Sequence, residues 1–285
     1  MTQALHNSKD FKSAAADQAP SLSATPILRT NNRQDVQTEV ARLTPWLDKV
    51  GASVIRGGRK AAHAKLDTMK PAAYGGSRNH VDGAVTRLSP YIRHGVLSLS
   101  EVRDRALAMT SAKEAEKLIQ QLAWRDYWQR LYKARPEIIW NDAEDYKTGF
   151  APSDYAEALP ADIQAAETGV AAIDHFLREL IETGYLHNHA RLYVASYICH
   201  WRRVKWQAGA KFFLQHLLDG DPASNNLSFQ WVASTFSHKP YYFNLENVQK
   251  FTGPSVDTRA QTNEALTGSY EQVFNRLFPN LDYNA

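Results

Sequence analysis

The chain has 285 residues, 44% of them apolar and 22% charged, the make-up of a soluble globular protein with one large or two small domains. Its 33 basic and 30 acidic side chains leave a formal charge of +3, a hint of a polyanionic partner that an ordinary solvated surface would also explain. Cys199 is the single cysteine, which excludes an internal disulfide framework, a thiolate zinc site and an iron–sulfur cluster within one chain and fits a reducing cytoplasm. No stretch approaches the roughly 18 consecutive apolar residues of a membrane span, and the start, MTQALHNSKDFKSAAADQAP, lacks the basic-then-apolar order of a signal peptide.

Residues 1 to about 35 are rich in Ala, Ser, Gln, Asn and Asp without sustained periodicity. They bury too little apolar surface to offset chain ordering and read as a mobile tail. From Val36 to Val50 helical spacing recurs at Val40, Leu43 and Leu47, and a second helix runs from Gly58 through Met69, ahead of Pro71. AAYGGSRNHVDG reads as a loop on its glycines and polar punctuation. Ser98, with Glu101 three residues on, has capping-box spacing for a helix to about Met109, and a longer helix spans Lys113 to Lys133. Leu118, Leu122, Trp124, Tyr127, Trp128, Leu131 and Tyr132 cover much of its circumference, as in a helix buried on several sides. Pro136, Pro152 and Pro160 break residues 135 to 168 into loops. Helical patterns return over Val170 to Thr183, His187 to Ala208 and Lys211 to Leu218, with Gly184 as the stop between the first two. With no alternating strands and no internal repeat, the fold class is all-α with long loops.

Four segments carry chemistry. In VTRLSPYIRHG, Val85 to Gly95, the hydroxyls of Thr86 and Ser89, the Arg87 guanidinium and turn N–H groups suit a pyrophosphate, although Ser and Thr here equally suit helix capping. In QQLAWRDYW, Gln121, Trp124, Arg125 and Trp128 recur every three or four residues and share one face. An amide, an aromatic plane and a guanidinium suit a nucleobase and its phosphate, while the same aromatics could simply pack in a core. In GYLHNHARLYVAS, Asn188 and Leu192 stand four apart with Arg191 beside them. His187 and His189 diverge on a helix with no carboxylate at ligand spacing, so no metal site is expected. In DGDPASNNLSFQW, Asp219 to Trp231, acids two apart suit a polyhydroxylated cofactor chain, an asparagine amide suits a heterocyclic ring nitrogen, and the aromatics suit base stacking or electron relay. A buried Arg191 needs a carboxylate, for which Asp219 is the candidate. There is no GxSxG elbow, Walker A loop, HExxH or GxGxxG, which sets hydrolase and NTPase readings aside.

In chain order, GGRKAAHAKL, Tyr74 with Arg78, VTRLSPYIRHGVLS, QLAWRDYW, TGVAAIDHFLREL, GYLHNHARLYVAS and DGDPASNNLSFQW resemble the flavin-binding domain of the DNA photolyase/cryptochrome family, from about Gly57 to Asn244. The resemblance implies that residues 36–285 form that family's helical FAD-binding domain. The implied FAD site comprises Tyr74, Val85, Thr86, Arg87, Leu88, Ser89, Arg191, Asp219, Gly220 and Asp221, with Asn225 facing flavin N5. UV-damaged DNA, single- or double-stranded, is the implied partner. Trp124 and Trp231 would wall a lesion pocket, Gln121, Arg125, Asn188, His189 and Leu192 would surround it, and Arg78 would contact phosphate. Asn225, Gln121 and Trp124 are the residues implied nearest the chemistry. The implied reaction is that of a carbon–carbon lyase of DNA repair: photoexcited reduced FAD gives an electron to a cyclobutane pyrimidine dimer, the ring opens and the electron returns.

The sequence departs from the family pattern in three respects. No antenna domain fits before Gly57, so the flavin itself is expected to absorb the blue light unless a separate antenna partner supplies it. Gln121 stands where dimer photolyases usually have Glu and (6-4) photolyases have Gln. Asn188 and Leu192, however, replace the histidine pair that the (6-4) reaction needs for proton transfer, which keeps cyclobutane dimers ahead. Trp206 matches the middle member of the family's electron chain, yet Phe229 replaces the flavin-proximal tryptophan and Trp140 has the wrong spacing for the distal one. Trp231, Tyr193 and Tyr197 are left as other relays. A cryptochrome-type photoreceptor and a non-enzymatic flavin-containing DNA-binding protein are the alternative readings. Intact Trp124 and Trp231 beside an interrupted electron chain favour repair over sensing.

Overall fold

The computed structural model describes residues 32–45 and 53–283. The chain divides into two compact units, one up to Val54 and one from Ile55. In the first, helix α1 (Arg33–Leu43) begins before Val36 because the Asn32 side chain caps it, accepting the Gln34 N–H at 2.9 Å. The end of the tail expected over residues 1 to about 35 is therefore helical from Arg33, while residues 1–31 of it, and Leu47 and Val50 of the expected helix, lie outside the described residues.

The second unit opens with α2 (Arg59–Asp67). The AAYGGSRNHVDG segment is not all loop. Pro71 starts helix α3 (Pro71–Ser77), where a missing N–H costs nothing, and Gly75 faces Lys117, with room for an ordinary contact at 3.5 Å from a Cβ. Helix α4 (Ser89–Arg93) starts without a side-chain cap, so the hydroxyls of Thr86 and Ser89 do not serve as its cap. Helices α5 (Leu99–Met109) and α6 (Ala112–Ala134) both open with capping boxes, Ser98 with Glu101 as expected and Ser111 with Glu114 in addition. Helix α6 is not buried all round, since Trp124 and Tyr127 are 52% and 46% exposed.

Pro136 and Pro152 start single 3-10 turns, and Pro160 precedes α7 (Ala161–Ala165). Helix α8 (Ala171–Thr183) stops at Gly184, whose φ of 70° is the left-handed conformation expected of the stop. The helix expected over 187–208 is broken. Helix α9 (Asn188–Ser196) runs into a π turn, Tyr197–Trp201, and then Arg203 takes φ 46° while Val204 bridges Ala156. The Ala156 N–H donates to Arg203 O and the Lys205 N–H to Ala156 O, so a distant loop satisfies the backbone that the helix releases. Helix α10 therefore starts at Trp206, not Lys211, and ends at His216. Helices α11 (Pro222–Ala233), α12 (Leu245–Phe251) and α13 (Tyr270–Leu277) complete the chain.

Among the described residues of this unit, the two largest of four apolar clusters flank a cavity. One gathers Leu66, Leu88, Tyr91, Leu97, Val102 and Leu118 from α2 to α6, and the other gathers Phe176, Tyr193, Trp206, Phe213 and Val232 from α8 to α11. The cavity described next is lined from both sides.

Candidate functional site

A cavity of about 290 Å³ is lined by α3, the 85–89 segment with α4, and α6 on one side and by α9, α10 and α11 on the other. Its polar end is built on Asp219 and Asp221, both buried. Arg191 Nη2 donates to both Asp219 oxygens at 3.0 and 2.8 Å, as the sequence predicted, and its Nε donates to Leu186 O at 2.8 Å. Burial by itself would raise the Asp219 carboxyl. The charge and hydrogen bonds of Arg191, with Ser89 and Arg125, outweigh that and hold it below the usual carboxylate range. Asp221 caps α11 by accepting the Ser224 N–H at 3.2 Å and also accepts from Gln129 and from Arg125 Nη2, the latter at 3.0 Å. Arg125 lines the cavity and commits its Nη2 to this carboxylate.

Tyr74, Arg78 and Val85 to Ser89 form the facing wall. Arg87 sits at φ 51°, a conformation few non-glycine residues adopt, which costs on the order of 1–3 kcal/mol and re-aims the chain within the cavity wall. Its guanidinium and that of Arg191 lie over the ring of Tyr185, at 5.2 and 5.7 Å from the centroid. Asn225 donates through Nδ2 to Ala210 O at 3.1 Å and to Asn226 Oδ1 at 2.9 Å, so the atom it has left for the cavity is its carbonyl oxygen. At the other end Trp124, backed by Trp128 stacked at 5.5 Å and 29°, stands with Gln121, Asn188 and Leu192. Phe213 and Phe229 meet edge to face at 4.9 Å and line it from α10 and α11.

Four predicted residues lie outside the lining. Trp231 is 41% exposed and packs on Tyr241 at 5.6 Å, because Asn225, Phe229 and Val232 share the inward face of α11 and Trp231 points about a third of a turn away. His189 is turned off the α9 face that carries Asn188, Arg191 and Leu192; it bonds Asn79 O at 2.9 Å and packs on Tyr193 and Phe251. Gly220 lies between the two acids, its carbonyl accepting from Arg93. Trp206 is fully buried two turns from Phe213, its indole N–H donating to Asp142. His187 is buried, which pushes its imidazole down to about 4, and its Nδ1 accepts the His189 N–H. Among the described residues no group of three His, Cys, Asp or Glu is placed to hold a metal. Sequence reasoning missed Tyr185, Gln129 and Ser224; Tyr185 lies inside a segment already singled out, but its arginine partners come from positions about a hundred residues apart.

The family described as the FAD binding domain of DNA photolyase matches residues 118–261, just over half of the chain. The chain belongs to this family. It is 32% identical over 197 residues, 69% of its length, to a deoxyribodipyrimidine photo-lyase of Streptomyces griseus and covers 42% of that protein. It is 30% identical over 245 residues to the Synechococcus photo-lyase, of which it covers 50%. The chain thus spans about half the length of the curated relatives it matches. Solved structures agree in fold: a class III photolyase from Agrobacterium tumefaciens (TM-score 0.60, 23% identity, 83% of this chain and 50% of that one) and an archaeal photolyase from Sulfolobus tokodaii with two FAD molecules (TM-score 0.61, 26% identity, 78% and 49%). The cofactor of the photolyase family is FAD, and the cavity suits it: Ser224, whose buried Oγ has no protein partner, is among its lining residues, with two fixed carboxylates, Thr86 and Ser89. Among the described residues no helix is long and apolar enough to cross a membrane.

Proposed function

We propose that this chain binds reduced FAD in the cavity and uses blue light to reverse cyclobutane pyrimidine dimers in UV-damaged DNA, acting as a photolyase-type lyase in the cytoplasm. One observation carries the reading: a single cavity joins an end of arginine-paired carboxylates and hydroxyls to an end walled by Trp124 and the amides of Gln121 and Asn188. When bound, FAD supplies the electron that photoexcitation sends to the dimer and takes it back after the ring opens.

The side chains divide the remaining work. Each carboxylate already accepts about three of its roughly four bonds, so Asp219 and Asp221 each keep a site for a hydroxyl of the cofactor chain, held in place by Arg191 and Arg125. Arg87 and Thr86 would hold its phosphates, the Ser89 hydroxyl being turned to Asp219. The free oxygen of Asn225 accepts an N–H and therefore favours the reduced, N–H-bearing ring. Trp124 offers a stacking face worth roughly 1–3 kcal/mol per base, which offsets the few kcal/mol of extruding damaged bases from a duplex. Gln121, Asn188, Leu192 and Trp124 exchange no protons near neutral pH; dimer reversal asks for none, whereas (6-4) repair needs an acid there.

The test incubates reduced, FAD-loaded protein with single- and double-stranded oligonucleotides carrying one cyclobutane dimer or one (6-4) photoproduct, in blue light and in darkness. Light-dependent restoration of the cyclobutane lesion alone is expected. Product in darkness, or no product despite bound FAD, overturns the reading.

A further inference from the structure

We propose that Tyr127 is the outer step of a stacking shelf that takes the unpaired base flanking the one held in the cavity, so that the chain grips a single strand across the rim of α6. This rests on reading the cavity as a nucleobase pocket. Helix α6 turns about 100° per residue, so Gln121, Arg125 and Trp128 face the cavity, Trp124 stands at its edge, and Tyr127 follows roughly 60° further out. The rings are continuous: Trp124 and Tyr127 meet edge to face at 5.7 Å and 85°, and Tyr127 and Trp128 at 5.1 Å and 57°. Tyr127 is 46% exposed, so part of its ring is open to a ligand.

Two further features select the occupant. The planes of Trp124 and Tyr127 meet at 85°, so their faces suit two bases splayed away from each other rather than stacked in parallel as in a duplex strand. Lys117, two turns before Trp124 on the same side of α6, spends its ammonium on the Gln120 amide at 3.0 Å rather than on a carboxylate and can meet a phosphate of that strand. A paired base presents an edge in the groove, while only an unpaired one has a face to lay on a ring, so the shelf takes a single strand or a locally opened duplex.

The test measures fluorescence anisotropy of a labelled single-stranded oligothymidylate with one central cyclobutane dimer. Tyr127→Ala should weaken binding about fivefold or more, the loss of one stack, with flavin absorbance unchanged, and Tyr127→Phe should bind as the wild type does. An abasic nucleotide beside the dimer, tried on the 5′ and the 3′ side, should cost the wild type the same factor on one side and cost Tyr127→Ala nothing more there. Unchanged affinity of Tyr127→Ala, or additive losses on both sides, overturns the shelf. Trp124→Ala separates the two readings: if it weakens binding while Tyr127→Ala does not, the shelf alone falls, and if neither does, the cavity reading falls with it.

Discussion

Asn225 has both amide hydrogens committed to Ala210 and Asn226, and that leaves it an acceptor toward the cavity. Asn225→Ala removes that acceptor from the reduced cofactor. One hydrogen bond is worth about 0.5–1.5 kcal/mol, so the two-electron potential should fall by roughly 10–30 mV in a spectroelectrochemical titration. Asp219→Ala strands Arg191, three-quarters buried, without a counterion and should cost about 3–5 kcal/mol in urea unfolding, with loss of bound FAD. The Arg191–Asp219 pair was legible in sequence because a buried guanidinium demands a carboxylate. Arg125 was not: its spacing gives the face of α6, but its partner Asp221 lies 96 residues away. Trp231 shows the reverse case, near Asn225 along the chain yet on another face of α11 and outside the cavity lining.

Among elements, the crossing of α10 and α11 bears most directly on the cavity. A Cβ on Gly209 would lie 2.7 Å from Phe229 Cε1 and 3.2 Å from Ile198 Cγ2, so only glycine lets the Phe229 ring, which lines the cavity, sit where it does. Gly209→Ala should push that ring inward, costing about 1–3 kcal/mol of stability and lowering FAD content in the purified protein, as read by absorbance. Caps and long helices were legible because their signals are local: Ser98 with Glu101 and Gly184 needed nothing beyond neighbouring residues. The break at Arg202 to Lys205 was not, because the backbone groups it frees are satisfied by Ala156, nearly fifty residues earlier. Helix α3 escaped notice because glycine disfavours helices in isolation, whereas here packing against α6 outweighs that preference.

For the whole molecule, two buried histidines set the acid limit. His200 is fully buried, donates Nε2–H to Val232 O at 2.9 Å and leaves Nδ1 without a partner; burial pushes it down to about 4, as it does His187. Both folded values lie below the unfolded value near 6.5, so the unfolded chain takes up these protons first as pH falls. Their contribution is complete above pH 6.5 and is lost between 6.5 and 4. The urea midpoint should be flat above pH 7 and drop below 6.5, by on the order of 3 kcal/mol per histidine at the acid end, and His200→Gln should remove its share of the slope. At this scale the sequence supplied the family and most of the cavity wall, because the ordered segments bring those residues along, while the exposed edge of α6 emerged only in three dimensions. That helix holds Asp221 through Arg125 and Gln129 on one flank and leaves Trp124 and Tyr127 exposed on the other. Under the proposed function two ligands would bear on one rod, and any factor by which flavin tightened the grip on damaged DNA would equal the factor by which damaged DNA tightened the grip on flavin. A cell short of flavin would then leave its lesions unsearched as well as unrepaired.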